Sequence, residues 1–345
     1  MRRRGAAKGT FALKRLVVFL LPTLMVVAVY AYLSGAWKNV ALLNGLLPDA
    51  DVSKASMAAV PNATVAGAPA TPAPKDPNEA LWEQGRQAAQ DGDTATARAV
   101  LADLVKRFPS SPIGGRAAVE LAVIYKNCGD VFGERNILSE ALGALGEEPL
   151  REQVVNELHR VNGELIFSRK AAPDSLTHTV KKGESLAKIA ARYKVTPEFI
   201  QRVNGLASSR IDAGENLKVF EGPFDVVIEK SKFRLTVYRA GIFIREYKVG
   251  IGKNGSTPEG EWPVRNKLID PVWDPPGPEY AASKAADNPL GTRWIGFDGE
   301  YGIHGTIEPQ SIGKAESRGC VRLLNQEVEE LYDLVIIGSK ITVKL

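Results

Sequence analysis

The chain contains His304-Gly305-Thr306 and, further on, Ser317-Arg318-Gly319-Cys320-Val321-Arg322. This segment holds one of the two cysteines and one of the three histidines among 345 residues. A cysteine thiolate attacks carbonyl carbon well, but near neutral pH it forms only beside a base or a positive charge. His304 can supply that base if the intervening chain loops out and returns to Cys320. Gly319 leaves backbone N–H groups unshielded, as an oxyanion hole requires, so the segment is compatible with acyl transfer. For an arbitrary Cys/His pair, however, a buried structural cysteine near an unrelated histidine is the commoner interpretation.

The pattern H-G-T…S-R-G-C-V-R-L resembles the catalytic signature of the YkuD-type L,D-transpeptidases, bacterial enzymes that cross-link or modify peptidoglycan. Upstream, Gly250-Ile251-Gly252 and Ser256-Thr257-Pro258-Glu259-Gly260 match the family's G-x-G…T-P-x-G segment. The resemblance covers residues 224–345, where short β-rich runs separated by polar or Gly-containing turns predict a mostly β domain. A helix with Asn325 as its N-cap and a final strand are expected to close this domain.

The resemblance implies catalytic roles for four residues of the segment. Cys320 is the nucleophile, and His304 is the general base that forms or maintains its thiolate. In the family a backbone carbonyl next to the histidine orients the ring, which here points to Gly305; no Asp or Glu lies in the motif. The backbone N–H groups of Gly319 and Cys320 form the oxyanion hole.

Five further residues are candidates for contact with substrate. Arg322 can hold a substrate carboxylate bidentately, with a structural ion pair as the alternative. Ser317 and Arg318 adjoin the nucleophile, and Arg318 stands where many family members carry a second histidine. Trp273 and Tyr280 lie in a proline-rich segment whose equivalent in the family helps form a lid, and they are predicted to line the cleft.

The implied reaction is attack of Cys320 on the peptide bond before D-Ala in a tetrapeptide stem, release of D-Ala, and resolution of the thioester by an acceptor amine. With water as acceptor, the enzyme would be an L,D-carboxypeptidase. A non-catalytic wall anchor and a scaffold for a protein partner are the remaining alternatives. No organic cofactor is required, and two cysteines with three scattered histidines argue against a zinc site.

A second resemblance lies directly upstream of the catalytic segment. Residues 177–221 predict a β-α-α-β unit, with apolar residues at helical spacing and Thr196-Pro197 as a helix start. The pattern T-V-x-x-G-E-S-L-x-x-I-A-x-x-Y-x-V is similar to LysM domains, which bind glycans that contain N-acetylglucosamine. The expected partner is therefore peptidoglycan. His178 is interpreted as a strand residue and not as a ligand.

Residues 76–170 show helical periodicity interrupted at Gly92-Asp93 and again at Gly129-Asp130. The two breaks are 37 residues apart, and helices separated in this way resemble tetratricopeptide-like pairs. A partner-binding surface and a structural spacer are equally consistent interpretations of such a region. His159, in the last predicted helix of this region, is expected to be an ordinary surface residue.

The first 75 residues predict an anchor and a spacer. Residues 1–15 are basic without any acid, and residues 16–37 are uncharged and long enough for a single transmembrane helix with a cytoplasmic N-terminus. A cleaved signal peptide is the alternative. Residues 38–75, rich in Ala and Pro, are a linker. Both alternatives place the folded part outside the cytoplasmic membrane, so the expected location is the inner membrane with an extracytoplasmic catalytic part.

The net charge of +4 comes from the N-terminal tail, because the rest of the chain carries a slight negative balance. The sequence therefore gives no support for a nucleic-acid partner. Cys128 and Cys320 fall in different predicted domains and are expected to be free thiols. Together these features predict a multidomain protein: a transmembrane helix, tetratricopeptide-like helices, a small LysM unit and a C-terminal mostly β L,D-transpeptidase domain.

Overall fold

The computed structural model describes residues 76–146, 149–272 and 288–345. The basic tail, the membrane anchor and the linker predicted within residues 1–75 lie outside these ranges, and so do Trp273 and Tyr280. Within the described ranges, no helix has the length and apolar character needed to cross a bilayer. The anchor, the linker and the placement of the two aromatic residues in the cleft therefore stay predictions.

The N-terminal part of the described chain is entirely helical. It comprises α1 (Pro77–Gln90), α2 (Thr94–Arg107), α3 (Pro112–Asn127), α4 (Val131–Leu142) and α5 (Leu150–Leu165). The two Gly-Asp breaks are helix boundaries: the side chain of Asp93 accepts the N–H of Thr96, and that of Asp130 accepts the N–H of Gly133. Each carboxylate satisfies a backbone donor that the first turn leaves unpaired. The predicted helical region is thus confirmed.

The next unit has the predicted β-α-α-β order. Its elements are β1 (Leu176–Thr179), α6 (Leu186–Tyr193), α7 (Pro197–Asn204) and β2 (Asn216–Val219). The two strands pair antiparallel, and the hydroxyls of Ser185 and Thr196 cap the two helices. His178 lies in β1, where its ring nitrogens contact the Tyr193 hydroxyl at 3.1 Å and the Glu184 carboxylate at 2.9 Å.

The C-terminal domain is built mainly from strands and one helix, α8 (Asn325–Leu334). The strands are β3 (Phe224–Glu229), β4 (Arg234–Arg239), β5 (Ile242–Lys248), β6 (Ile251–Gly252), β7 (Gly260–Pro263), β8 (Asn266–Ile269), β9 (Arg293–Asp298), β10 (Tyr301–His304), β11 (Ala315–Ser317), β12 (Val321–Arg322) and β13 (Lys340–Lys344). They form a five-stranded sheet of order β5-β4-β3-β13-β7, a four-stranded sheet of order β12-β10-β9-β8, and the pair β11-β6. The mostly β architecture is confirmed.

Three strand pairs are parallel: β13 with β3, β10 with β12, and β11 with β6. Parallel neighbours require a connection that leaves the sheet and returns to it. Helix α8 lies on the path into β13, and the loop between β10 and β12 carries the catalytic signature away from the sheet and back.

Helix α5 packs directly on strand β5 of the C-terminal domain. The side-chain amide of Asn162, which is fully buried, donates to the carbonyl oxygens of Phe243 at 2.9 Å and Ile244 at 3.0 Å. Arg151 and Glu246 form a buried ion pair whose closest oxygen and nitrogen lie 2.5 Å apart. The helical region is therefore anchored to the catalytic domain through this helix, and is not tethered only by its linker.

The interpretation of His159 as an ordinary surface residue is wrong. Its ring is half-buried, stacks on Phe243 with centroids 5.6 Å apart, and accepts the backbone N–H of Glu246 through Nε2 at 3.1 Å. Burial, together with the Arg245 guanidinium, lowers the pKa of His159 to about 4. The interface thus requires a neutral imidazole.

This histidine should make stability depend on pH. Because the folded-state pKa of His159 lies below the unfolded value of ~6.5, its contribution is fully present above pH ~6.5 and is lost as pH falls through about 4. We expect the free energy of unfolding to fall by about 2 kcal/mol more between pH 7 and 4.5 in the wild type than in His159→Gln, whose amide oxygen can still accept the Glu246 N–H. Urea titrations at both pH values measure this, and equal losses in the two proteins would refute it.

The LysM-like unit is also docked on its neighbours. Phe199 packs against Phe224 with centroids 4.9 Å apart, and Arg202 forms an ion pair with Asp333 of α8 at 2.7 Å. The ammonium of Lys218, in β2, donates to the carbonyl oxygens of Leu165 at 2.6 Å and of Ser168 at 2.9 Å, just where α5 ends. The free carbonyls and negative dipole end of α5 are therefore satisfied by a cation from the next unit.

A charge cluster joins the helical region to the catalytic domain through the connecting segment. Asp174 pairs with Arg135 of α4, whose side chain is inaccessible to solvent, and with Arg239 of β4. We call these three residues the Asp174 cluster. A buried guanidinium without a counter-ion is strongly unfavourable. The Asp174 carboxylate therefore offsets the cost of burying both Arg135 and Arg239.

Candidate active site

The parallel pairing of β10 with β12 brings the two halves of the catalytic signature together. Ile303 is opposite Val321, and His304 is opposite Arg322. The N–H of Leu323 donates to the His304 carbonyl at 2.9 Å and extends the pairing by one residue. Cys320 immediately precedes β12. The backbone hydrogen bonds between β10 and β12 therefore fix the positions of His304 and Cys320 on two adjacent strands.

The His304 side chain is 4% exposed, and its tautomer is set by the backbone. Nδ1 lies 2.6 Å from the Gly305 carbonyl oxygen, which can only accept, so Nδ1 carries the proton and donates it. Nε2 is therefore the free acceptor of a neutral imidazole. Burial, assisted by the Arg322 guanidinium, lowers the pKa of His304 to about 4, although the Gly305 carbonyl favours the protonated form.

The Cys320 thiol is half-buried and donates to the backbone carbonyl of Glu300 at a sulfur–oxygen distance of 3.7 Å. Burial raises the pKa of this thiol, while the backbone of Gly302 and the Arg322 guanidinium oppose the shift. The two pKa shifts mean that, near neutral pH, Cys320 is a thiol and His304 is a neutral imidazole. The Nε2 atom of His304 can therefore accept a proton.

The turn before the nucleophile is organised by Ser317. Its hydroxyl donates to the Cys320 carbonyl at 2.6 Å and accepts the Gly319 N–H at 3.1 Å, and the residue is 4% exposed. Gly319 has φ +141, and a Cβ there would lie 2.3 Å from the ring of Tyr301. Only glycine fits this turn. Since the Gly319 N–H is already bonded, its predicted use as an oxyanion donor requires that it leave Ser317.

Ser317→Ala should lower kcat for acyl transfer by about 10- to 100-fold with little change in KM, because the turn that aims the Cys320 sulfur loses both side-chain hydrogen bonds. Steady-state kinetics measure this. Ser339→Ala is a matched control, since Ser339 is also buried and accepts a backbone N–H, from Ile336 at 3.1 Å, in the turn before β13. Similar kcat values for the two variants would contradict the assignment.

The two candidate arginines differ in their surroundings. Arg322 forms an ion pair with Glu308 at 2.8 Å, and its Nε is buried without a hydrogen-bond partner. The Glu308 carboxylate is 53% exposed and can be exchanged for another. Arg318 is exposed, directly beside the nucleophile. Arg322 therefore has the structural ion pair that the sequence left open as the alternative to carboxylate binding.

The upstream G-x-G…T-P-x-G segment supports the catalytic turn from below. A Cβ on Gly252 would lie 2.7 Å from Gly319 Cα, and the Gly252 N–H donates to the fully buried Thr257 hydroxyl at 2.8 Å. The backbone at Gly252 therefore lies in close contact with the turn that carries Gly319 and Cys320. Any residue with a Cβ at position 252 would prevent this close approach.

Asn325 has a different function from the predicted helix cap. Leu324 occupies the N-cap position of α8, and the Asn325 side-chain oxygen accepts the Thr292 N–H at 3.3 Å. A Cβ on Gly305 would lie 2.1 Å from that oxygen. The Asn325 side chain therefore contacts residues 292 and 305, which are distant from it in sequence. A local capping pattern cannot reveal such a contact. Asn325 thus supports the residue that orients His304.

Among the described residues, no group of three or more His, Cys, Asp or Glu side chains is arranged to hold a metal ion. Both cysteines are free: Cys320 at this site and Cys128, exposed, at the end of α3. The chemistry at hand in the described part of the site is therefore that of a thiol, an imidazole and backbone N–H groups.

The part of the chain that contains this site is similar to known L,D-transpeptidases. A family profile for the L,D-transpeptidase catalytic domain matches residues 223–343, and a LysM profile matches residues 178–220. The YkuD protein of Bacillus licheniformis, named as an L,D-transpeptidase, is 30% identical over 178 residues, which span 49% of this chain and 98% of that protein. The similarly named YqjB protein of Bacillus subtilis is 37% identical over 125 residues, which span 34% of this chain and 69% of that protein. A solved L,D-transpeptidase from Mycobacterium smegmatis overlaps with a TM-score of 0.32 at 22% identity, over 38% of this chain and 64% of that one.

Proposed function

Since this chain belongs to the YkuD-type L,D-transpeptidase family, we propose that Cys320 and His304 carry its acyl transfer on peptidoglycan stem peptides. The enzyme is an L,D-transpeptidase that cross-links peptidoglycan. The observation that supports the assignment of residues is the parallel pairing of β10, which ends at His304, with β12, which begins directly after Cys320. The hydrogen bond from His304 Nδ1 to the Gly305 carbonyl supports it further.

The proposed first half-reaction releases D-Ala. His304 Nε2 takes the thiol proton as the Cys320 sulfur attacks the carbonyl carbon before D-Ala, and the Cys320 N–H, joined by Gly319 once freed from Ser317, binds the oxyanion. His304 then gives the proton to the departing amine. The carbon–nitrogen bond breaks as the carbon–sulfur bond is retained, leaving a thioester on Cys320.

In the proposed second half-reaction an acceptor amine attacks the thioester carbonyl carbon and His304 takes the amine proton. The carbon–sulfur bond then breaks as the new amide forms, and His304 returns the proton to the Cys320 sulfur to regenerate the thiol. Arg322 and Arg318 are proposed to bind carboxylates of the donor or acceptor stem, with Arg322 exchanging Glu308 for the substrate. Trp273 and Tyr280 complete this proposal as residues of the cleft, on sequence grounds alone.

The other parts of the chain are proposed to hold the enzyme at the wall. The LysM domain binds glycan strands, and residues 16–37 anchor the chain in the inner membrane with the catalytic part outside the cytoplasm. The helical region is proposed to be tetratricopeptide-like and to bind a protein partner. Its support is the repeated Gly-Asp helix boundary and a cavity of about 290 Å³ lined by residues such as Arg86, Glu120 and Val123.

The test uses the compact unit Thr71–Leu345 with tetrapeptide muropeptides and mass spectrometry of the products. Loss of D-Ala together with a dimer establishes transpeptidation, and the mass of the dimer identifies the acceptor. Loss of D-Ala without a dimer indicates a carboxypeptidase. No turnover, with retention on isolated sacculi, would leave a non-catalytic anchor.

A further inference from the structure

The imidazole of His304 lies against the indole of Trp294. The two residues are opposite each other in the antiparallel pairing of β10 with β9, their ring centroids are 5.9 Å apart, and the ring planes make an angle of 16°. This is an offset parallel stack, the arrangement that aromatic rings favour over a face-to-face sandwich. Thus one face of the imidazole has a flat aromatic neighbour on the adjoining strand.

The indole itself is held in place by the sheet. Its Nε1–H donates to the Asn266 side-chain oxygen on β8 at 2.9 Å. A Cβ on Gly302 would lie 2.6 Å from the indole ring, and one on Gly296 would lie 2.9 Å from its nitrogen. Two glycines and one amide therefore shape a slot on three adjacent strands that an indole occupies. A side chain so tightly confined can fix the rotation of the ring stacked on it.

The other neighbours of His304 do not supply this constraint. Gly305 fixes Nδ1 but allows the ring to tilt about that hydrogen bond. Arg322, on β12, carries a positive charge that disfavours an imidazolium. The nearby charges of β9 and α8 are engaged elsewhere: Arg293 faces Glu329 at 4.0 Å, and Glu327 accepts the Leu324 N–H. Beside the Gly305 carbonyl, the π-face of Trp294 is thus a second neighbour that favours the protonated ring.

We propose that Trp294 is a positioning residue for the acyl transfer: its indole, held by Asn266, keeps the His304 ring in the plane from which Nε2 reaches the Cys320 thiol, and stabilises the imidazolium formed when the proton moves. This inference rests on the proposed function of His304 as the base. It assigns to Trp294 no contact with substrate. The aromatic face should matter more than the indole N–H, because the stack acts directly and the hydrogen bond acts through it.

The test compares Trp294→Leu, which removes the face, with Trp294→Phe, which keeps a ring but loses the donor. Both are made in the full chain with Cys128→Ser, so that iodoacetamide reacts only with Cys320. We expect Trp294→Leu to lower kcat about 10- to 100-fold with little change in KM, and to lower the rate of Cys320 alkylation near neutral pH relative to the rate above the thiol pKa. Trp294→Phe should retain most of the wild-type kcat and most of the wild-type rate of Cys320 alkylation. Trp262→Leu is the matched control, since Trp262 packs on Phe297 with centroids 5.4 Å apart.

The results separate this inference from the function on which it rests. Wild-type kinetics and alkylation profile in Trp294→Leu would overturn the inference, and so would equal impairment of the Leu and Phe variants. The same changes in Trp262→Leu would reduce the effect to general destabilisation and would also overturn it. Failure of His304→Ala to alter either turnover or the alkylation profile would instead defeat the assignment of His304 as the base.

Discussion

Cys320→Ala should reduce the release of D-Ala from tetrapeptide stems by about 10⁴-fold or more, because it removes the thiol that forms the thioester and the other cysteine, Cys128, lies at the end of α3. His304→Ala should produce a loss of similar order, and the double variant should be scarcely worse than either single one. Residues that act as one unit give such non-additive effects. The neutral resting pair makes this dependence strong, since neither group is ionised in advance of the attack.

The measurement is D-Ala release by the unit Thr71–Leu345, with mass spectrometry of the thioester formed on the protein. Cys128→Ala is the matched control, because Cys128 is the second free thiol and lies exposed at the end of α3. It should leave the rate unchanged. A Cys320→Ala protein that still turns over at a rate near that of the wild type would show that another group carries the reaction.

Asp174→Ala should cost about 3–5 kcal/mol of folding stability, the largest structural effect that we expect from a single substitution. The change leaves Arg135 fully buried and Arg239 8% exposed without the carboxylate that both contact. Attraction within the Asp174 cluster offsets the cost of removing two guanidinium groups from water. Loss of the carboxylate removes that compensation while the burial persists.

Urea unfolding at pH 7 measures this cost. The matched control is Asp103→Ala, which also deletes an aspartate paired with an arginine, since Asp103 and Arg107 lie 3.0 Å apart in α2. Both members of that pair are about half exposed, so its loss should cost less than about 1 kcal/mol. Equal losses in the two variants would show that the Asp174 cluster does not stabilise the junction.

The docking of the helical region changes how its function can be tested. Deletion of residues 76–170 would uncover Phe243, which is fully buried, and would leave Glu246 without Arg151. A loss of activity after such a deletion would therefore report a damaged catalytic domain and not a lost partner. Substitutions in the cavity lined by Arg86 and Glu120 test the partner without disturbing this contact.

The sequence by itself determined the order and type of the folded units. The Gly-Asp breaks marked helix boundaries because Asp caps a helix locally, and the β-α-α-β order followed from apolar residues at helical spacing between two strands. The LysM unit and the acyl-transfer chemistry around Cys320 and His304 were indicated by the resemblance of their motifs to known families.

Only the tertiary structure decided how those pieces act together. Several contacts join residues that no local pattern connects. They are the parallel pairing of β12 with β10, the contact of Asn325 with the Gly305 loop, the stack of Trp294 on His304, and the contacts of His159 and Asp174 at the junction of the helical region with the catalytic domain. Local periodicity and capping patterns describe neighbours along the chain. Packing between strands and domains depends on side chains that meet only after folding, and no local pattern specifies which ones will meet.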